Sequence, residues 1–390
     1  MRAVAAVAGA SALPISMKLV SFKGTHDEAV CTDGTPSGYY YKEGAADSTM
    51  WLVDLQGGGW CHDEYDCHKR CPKGTKSTMC TSKGWSKTHT EEGFYSTHLG
   101  DKALSEAHKI WVPYCTSDAH MGDAVQFGMQ FRGAKVIQAV MSELVRLGIG
   151  KTNSSLIFGG QSAGGRGAMV HLDYVKSMLG PAGAQVQVTG LLDSPLWLDL
   201  PAYPGSGFWG FGKETQEAYA LFKPAHLGEE CAVVNRGAEW KCIFGQYRMP
   251  HVRTPYLLVA SEYDSFQLST AVGWKTPKST GEKLYASEFA KKTAALAESL
   301  RANWTSTDGP NAVYSWACYC HAQTMTNQGF DSRTCGGATV RTALQRLLQE
   351  RGAPAAGGLR WVDHCSGCGN GVESCAAEPS CAAEVAQEGP

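Results

Sequence analysis

Gly160-Gln161-Ser162-Ala163-Gly164-Gly165 stands between two stretches of different periodicity. Before it, Ser155-Leu156-Ile157-Phe158 is a short apolar run of the kind that forms a buried strand. After it, Gly167-Ala168-Met169-Val170 and His171-Leu172-Asp173-Tyr174-Val175 carry helical spacing. A strand, a Gly-flanked turn centred on a serine, and then a helix make a nucleophile elbow. The glycines two before and two after the serine let strand and helix pack closely around a strained residue. In a chain with 45 glycines the pattern alone decides little, so the rest of the chain must supply its partners.

The chain has 390 residues, 43% hydrophobic and 18% charged, with a formal net charge of -2. This is the composition of a globular protein with a large core. The near-neutral charge gives no reason to expect nucleic acid or an acidic membrane surface as partner, and no apolar run is long enough for a spanning helix. The 15 cysteines are the informative residues. Cys61, Cys67, Cys71 and Cys80 cluster with His62, Asp63, Asp66 and His68; Cys318 and Cys320 are close; Cys365, Cys368, Cys375 and Cys381 crowd the tail. Cys and His at short spacing also suit zinc, but no pair of clean C-x-x-C knuckles is present, so disulfides are favoured. A secreted protein is therefore expected, with at least one thiol left over from the odd count. Asn153-Ser154-Ser155 and Asn303-Trp304-Thr305 are possible glycosylation acceptors, and residues 1–20 are expected to contain a signal segment.

Upstream of the elbow, Met50 to Gln56 is predicted as a strand running into Gly57-Gly58-Gly59-Trp60. Three glycines at a strand end are costly in chain entropy unless the backbone must present N–H groups to something, as an oxyanion-hole loop does. Trp111 to Cys115 is expected to end the next strand. Lys135 to Leu147 is an amphipathic helix closed by Gly148. Downstream, Val186 to Leu191 is a strand, and Pro201 to Gly212 is a loop or cap. Tyr256 to Ala260 is a strand leading to Asp264, Ser287 to Ala302 is a helix, and Val313 to Cys318 is a strand leading to His321. Alternating strands and helices predict a mostly parallel sheet flanked by helices. Ser162, Asp264 and His321 follow the chain order Ser, acid, His of an α/β-hydrolase triad. One domain, residues 21–390, is expected, with a Cys-rich tail over 361–390 that has little capacity for a core of its own and is stapled down.

Taken together, the blocks Cys31-Thr-Asp-Gly-Thr-Pro36, Leu55-Gln-Gly-Gly-Gly-Trp-Cys61, Val112-Pro-Tyr-Cys115 with Gly122-Asp123, Phe131-Arg-Gly-Ala134, Gly160-Gln-Ser-Ala-Gly-Gly165, Tyr263-Asp-Ser-Phe-Gln267 and Cys318-Tyr-Cys-His-Ala-Gln323 resemble the pectin acetylesterase / Notum family, in family order. The resemblance implies a secreted, α/β-hydrolase-like, disulfide-stapled serine esterase. Ser162 is implied as nucleophile, Asp264 as acid and His321 as base, with backbone N–H groups of Gly59, Trp60 and Ala163 as the oxyanion hole. Plant and bacterial relatives deacetylate pectin, whereas the animal branch removes a fatty acyl group from a protein serine. The chain departs from the family at Gln56, where Glu is usual, at Gln161 and Ala322, where Cys is usual, and at Phe266, where Trp is usual. Cys320 is a candidate replacement for the cysteine missing after His321. The Cys71–Cys80 insertion and Cys368 look particular to this chain.

The expected reaction is a two-step acyl transfer through an acyl-enzyme, with no cofactor and no metal ion. The expected substrate is an acylated polysaccharide carrying O-acetyl groups, with an acylated protein as the alternative, and the expected state is a monomer. Two other readings compete. An idle extracellular binding protein of the same fold is disfavoured by the intact Ser162, Asp264 and His321. A metal-dependent deacetylase is disfavoured because no His/Asp constellation has convincing ligand spacing.

Overall fold

The structure is a computed structural model that describes residues 13–96, 101–151, 154–302, 311–335, 337–350 and 359–362. Its strands are β1 (Ile15–Ser21), β2 (Gly38–Lys42), β3 (Met50–Leu55), β4 (Thr88–Glu91), β5 (His108–Val112), β6 (Ala124–Gln126), β7 (Met129–Phe131), β8 (Ser154–Gln161), β9 (Val186–Asp193), β10 (Tyr256–Asp264), β11 (Ala312–Cys320) and β12 (Leu359–Val362). Ten of them form one sheet in the order β12-β11-β10-β9-β8-β3-β5-β2-β1-β4, and β6 pairs with β7 in a separate hairpin. Every pairing from β12 to β5 is parallel; β5–β2, β2–β1 and β1–β4 are antiparallel.

The central strands bury both faces, which is why they are near-continuous apolar runs in sequence. Their side chains nevertheless alternate between two cores, as the strand period of two requires. Leu156 and Phe158 of β8, with Leu258 and Ala260 of β10, join the core containing Val136, Val140 and Leu144. Ile157, Leu257 and Val259 join the opposite core with Leu344 and Leu347. The helix Gly133–Leu147 closes as expected: Gly148 sits at φ 102° and its N–H returns to the carbonyls of Leu144 and Val145. On the other face, the helix Val340–Gln349 buries Val340, Ala343, Leu344 and Leu347, one stripe at helical spacing. A reciprocal capping box between Thr339 and Thr342 starts it. Each fully buried leucine in these stripes contributes about 1.5–3 kcal/mol.

Several element boundaries differ from the sequence reading. The helix expected at 287–302 begins at Thr280. The cause is a Ser279/Glu282 capping box: Ser279 Oγ accepts the Glu282 N–H (3.2 Å) while the Glu282 carboxylate accepts the N–H groups of Lys278 and Ser279 (2.8 and 3.0 Å). Strand β10 continues to Asp264 and β11 to Cys320, so Asp264 and Cys320 pair in register at the ends of neighbouring parallel strands. Residues 15–20, expected inside a leader segment, belong to β1, with Met17 fully buried. Trp361, placed in the tail, is buried in β12 opposite Tyr314. Residues 1–12, the two glycosylation asparagines and Cys365, Cys368, Cys375 and Cys381 lie outside the described residues.

The cysteine cluster at 61–80 forms disulfides, Cys61–Cys67 and Cys71–Cys80. Two more bonds join Cys31 to Cys115 and Cys231 to Cys242. Among the described residues no helix is long and apolar enough to cross a membrane.

Candidate active site

Ser162 follows β8 directly and sits at φ 54°, ψ −121°, a conformation that a residue with a side chain rarely adopts. The elbow is held by close backbone approaches. Ser162 donates its N–H to the Asp193 carbonyl (2.9 Å) and its own carbonyl accepts the Arg166 N–H (3.0 Å). A Cβ on Gly164 would stand 1.8 Å from the Leu55 carbonyl oxygen, and one on Gly165 would stand 2.3 Å from that of Asp193. Only glycine lets the helix Ala163–His171 lie this near the ends of β3 and β9.

The three residues singled out from the sequence converge. His321, the first residue after β11, has Nε2 2.7 Å from Ser162 Oγ and Nδ1 2.8 Å from Asp264 Oδ2. A carboxylate can only accept, so Nδ1 carries the hydrogen and Nε2 accepts from the serine hydroxyl. Asp264 uses its second oxygen, Oδ1, to accept the Gln267 N–H (2.9 Å), capping the short helix Ser265–Ala271. All three side chains are almost wholly buried, which strengthens each charge-assisted contact.

Residues of unremarkable sequence character hold this constellation in place. Asp193, at the end of β9, accepts from the Thr324 N–H (2.7 Å) and hydroxyl (2.8 Å) with one carboxylate oxygen and from Ser194 Oγ (2.9 Å) with the other. Ser194 Oγ in turn accepts the Ala322 N–H (3.1 Å). The loop after His321 is thereby tied to the strand beside the elbow. Gln267 also clamps the segment at Leu196–Leu198, accepting the Leu198 N–H and donating to the Leu196 carbonyl. Phe266 stands 5.4 Å from the imidazole. The reach of Asp193 and Ser194 to residues 322–324 has no local signature in the sequence.

The glycine loop lies against Ser162: a Cβ on Gly57 would be 3.0 Å from Ser162 Cβ. Gly58 and Gly59 take φ of 136° and 66°. Tyr114 donates its hydroxyl to the Gly59 carbonyl (2.9 Å), Arg70 donates to the Gly58 carbonyl, and Cys61 donates its N–H to the Ser117 carbonyl. With these carbonyls engaged, the loop has a single shape. Gln56 Oε1 accepts the Tyr114 N–H (2.8 Å), and the Gln56 carbonyl accepts from His120 Nε2 (2.9 Å). Ala163 opens the helix, so its N–H is among those with no intrahelical acceptor. Gly57 and Ala163 thus stand next to Ser162, one from the glycine loop and one from the helix, and Gly59 and Trp60 follow in the same loop.

Two further features lie around Trp60. The Arg166 guanidinium lies 3.5 Å from the ring centre of Trp60 and 3.8 Å from that of Trp197. Burial lowers its pKa to about 9, while Tyr114 and Glu214 act in the opposite direction. Beyond Trp60, His62 Nδ1 is 3.1 Å from Glu217 and 3.7 Å from Asp63, and its Nε2 is 3.6 Å from Glu214. Burial raises Glu214 to about 7, against the opposing pull of His62. His62, Asp63 and Glu217 could together hold a metal ion, with ligand atoms within 4.8 Å of one another. They are separate from the Ser162 triad.

Residues 9–369 match the model of the family described as Pectinacetylesterase. Among curated proteins, the chain is 31% identical over 271 residues to a Xenopus laevis palmitoleoyl-protein carboxylesterase, notum1', covering 67% of this chain and 54% of the relative. It is 29% identical over 330 residues to the human palmitoleoyl-protein carboxylesterase NOTUM, covering 82% and 63%. The chain spans about half the length of the curated relatives it matches first, 53% and 54%. Among solved structures, the Wnt deacylase Notum from Drosophila superposes with a TM-score of 0.79 at 23% identity, covering 90% of this chain and 97% of that one. The shared fold is the α/β-hydrolase-like sheet described above.

Proposed function

The chain belongs to the pectinacetylesterase family, and from that premise we propose that it is a secreted serine carboxylesterase that hydrolyses O-acyl esters, foremost the O-acetyl groups of pectin-like polysaccharides. The observation that carries the reading is the hydrogen-bonded chain Ser162 Oγ–His321 Nε2/Nδ1–Asp264 Oδ2, at 2.7 and 2.8 Å, behind a serine at positive φ. His321 takes the Ser162 proton as Oγ attacks the ester carbonyl. The N–H groups of Gly59, Trp60 and Ala163 hold the developing oxyanion. The alcohol leaves with the proton from His321, and an acyl-Ser162 ester remains. Water, deprotonated by His321, then releases the acid and restores Ser162. Asp264 keeps Nδ1 protonated and stabilises the imidazolium. None of these steps uses a cofactor.

The four disulfides among the described residues support the secreted location, because such bonds persist in oxidising compartments. The chain acts as a monomer in this reading. A second reading, removal of a fatty acyl group from a protein serine, draws on the name that the 31%-identical relative carries. Ser162→Ala should abolish hydrolysis of p-nitrophenyl acetate and labelling by a fluorophosphonate while leaving the melting temperature unchanged. Retained turnover or labelling in that variant overturns the assignment. Acetylated pectin and an octanoylated serine peptide, compared on the purified protein, separate the two substrate classes.

A further inference from the structure

Arg166 is drawn into the site by its position, its neighbours and its lack of acceptors. It lies one turn beyond Ser162, the residue that precedes the helix Ala163–His171, and its N–H is bonded to the Ser162 carbonyl. Its guanidinium is clamped between Trp60 and Trp197 at 3.5 and 3.8 Å. Trp60 ends the glycine loop, and Trp197 stacks on Phe266 (5.7 Å), the ring that faces His321. The cation therefore sits between the wall expected to carry the oxyanion donors and the wall that carries the base. Arg166 is completely buried, yet Nε, Nη1 and Nη2 have no hydrogen-bond acceptor among the described residues.

The rings around this cation would otherwise form an apolar slot. Trp197 packs on Phe211 (4.6 Å) and Trp60 on Phe222 (5.7 Å). Aromatic walls of this kind suit a chain of methylenes. With the guanidinium in place, a long acyl chain would have to separate the cation from both indole faces, and its methylenes would offer the guanidinium N–H groups nothing in return. An acetyl group makes no such demand.

We propose that Arg166 determines acyl length: its guanidinium fills the space beside Ser162 that a long acyl chain would occupy, and restricts the site to acetyl-sized groups. This rests on the serine-esterase reading above, so its test includes a measurement independent of turnover. Methyl octanoate binding is measured by tryptophan fluorescence on Ser162→Ala, which cannot hydrolyse it, with and without Arg166→Ala; Arg166→Met, which refills the gap with a flexible apolar chain, serves if the alanine variant does not fold. In the Ser162→Ala background, affinity should rise by about tenfold or more when Arg166 is shortened, the size of effect a few methylenes have in an apolar pocket. In proteins with Ser162 intact, Arg166→Ala should raise kcat/KM for p-nitrophenyl octanoate relative to acetate by a similar factor. Unchanged binding in both Arg166 variants overturns the proposal. A gain in binding without any ester hydrolysis by the parent protein upholds the blocking of the slot by Arg166 and overturns the esterase reading instead.

Discussion

Gly164→Ala should disable the site more than any other single methyl group added to the chain. The new Cβ would lie 1.8 Å from the Leu55 carbonyl oxygen, 2.5 Å from its carbon and 2.9 Å from the Gln56 oxygen. Real Cβ contacts are essentially never shorter than 3.0 Å, so strand end and helix must part by 1.2 Å. Every atom involved is backbone, and no rotamer change can relieve the clash. Leu55 is paired in register with Gly160 at the end of β8, and the next residues are Gln56 and Gly57, the latter against Ser162. The displacement is therefore transmitted directly to the glycine loop and Ser162. Overpacking of this kind costs about 1–3 kcal/mol or more, and a misplacement near 1 Å lowers activity by about 10²-fold. We expect urea denaturation to report a loss of about 3 kcal/mol, and kcat/KM for p-nitrophenyl acetate to fall about 100-fold below the midpoint, where the variant is still folded. Gly34→Ala is the control: nothing lies within 4 Å of its Cβ, and its φ of +81° costs only backbone strain, about 1–2 kcal/mol, without touching activity. A Gly164→Ala protein within about 0.5 kcal/mol of the parent and with unchanged kcat/KM refutes the close-packing account of the elbow.

Three further outcomes are expected. Asp264→Asn keeps a good helix cap at residue 264 but can no longer hold His321 in the productive tautomer, so kcat should fall about 10³–10⁴-fold with little change in melting temperature. Removing the Cys31–Cys115 bond by paired serine substitution should cost about 4–5 kcal/mol, against about 2 kcal/mol for Cys61–Cys67, because loop-closure entropy grows with the separations of 84 and 6 residues; equal losses in denaturant titrations argue against an entropic origin. His171 is depressed to about 3 by burial and by His226, so it stays neutral in the fold where the unfolded chain binds a proton. Its folded pKa is below its unfolded value, so stability present above pH ~6.5 is lost as pH falls. The stability advantage of the parent over His171→Gln should shrink by on the order of 2–3 kcal/mol between pH 7 and pH 4, and a pH-independent difference contradicts the burial of a neutral imidazole.

Much of the site could be read directly from residue order. Strand-sized apolar runs, the Gly-flanked Ser162, and Asp264 and His321 in the expected order are local signals, because each of these three residues sits at the end of its own strand. A parallel sheet places such strand ends along one edge, so linear order predicts convergence. The preference for disulfides over zinc at Cys61–Cys80 rested on spacing, and two bonds form there. The Ser279/Glu282 capping box is itself a local signal, and it starts at Thr280 the helix that helical spacing alone places at 287–302.

Other features have no local signature. Ile15–Ser21 looks like part of a leader until β2 and β4 are laid beside it, and Trp361 looks like tail until it pairs with β11. Strand identity at a sheet edge comes from a partner distant in sequence, so a short segment cannot announce it. Asp193 and Ser194 become positioning residues only because residues 322–324 return beside them. Arg166 is the sharpest case. In sequence it is one arginine in a glycine-rich helix, and a surface position would be the default for its charge. The helix face that carries it points at Trp60 and Trp197, which come from segments about 106 residues before it and 31 after. The letters set the order of Ser162, Asp264 and His321; only tertiary packing put a buried cation between Trp60 and Trp197, because enclosure by two indoles is a property of three segments at once and of none alone.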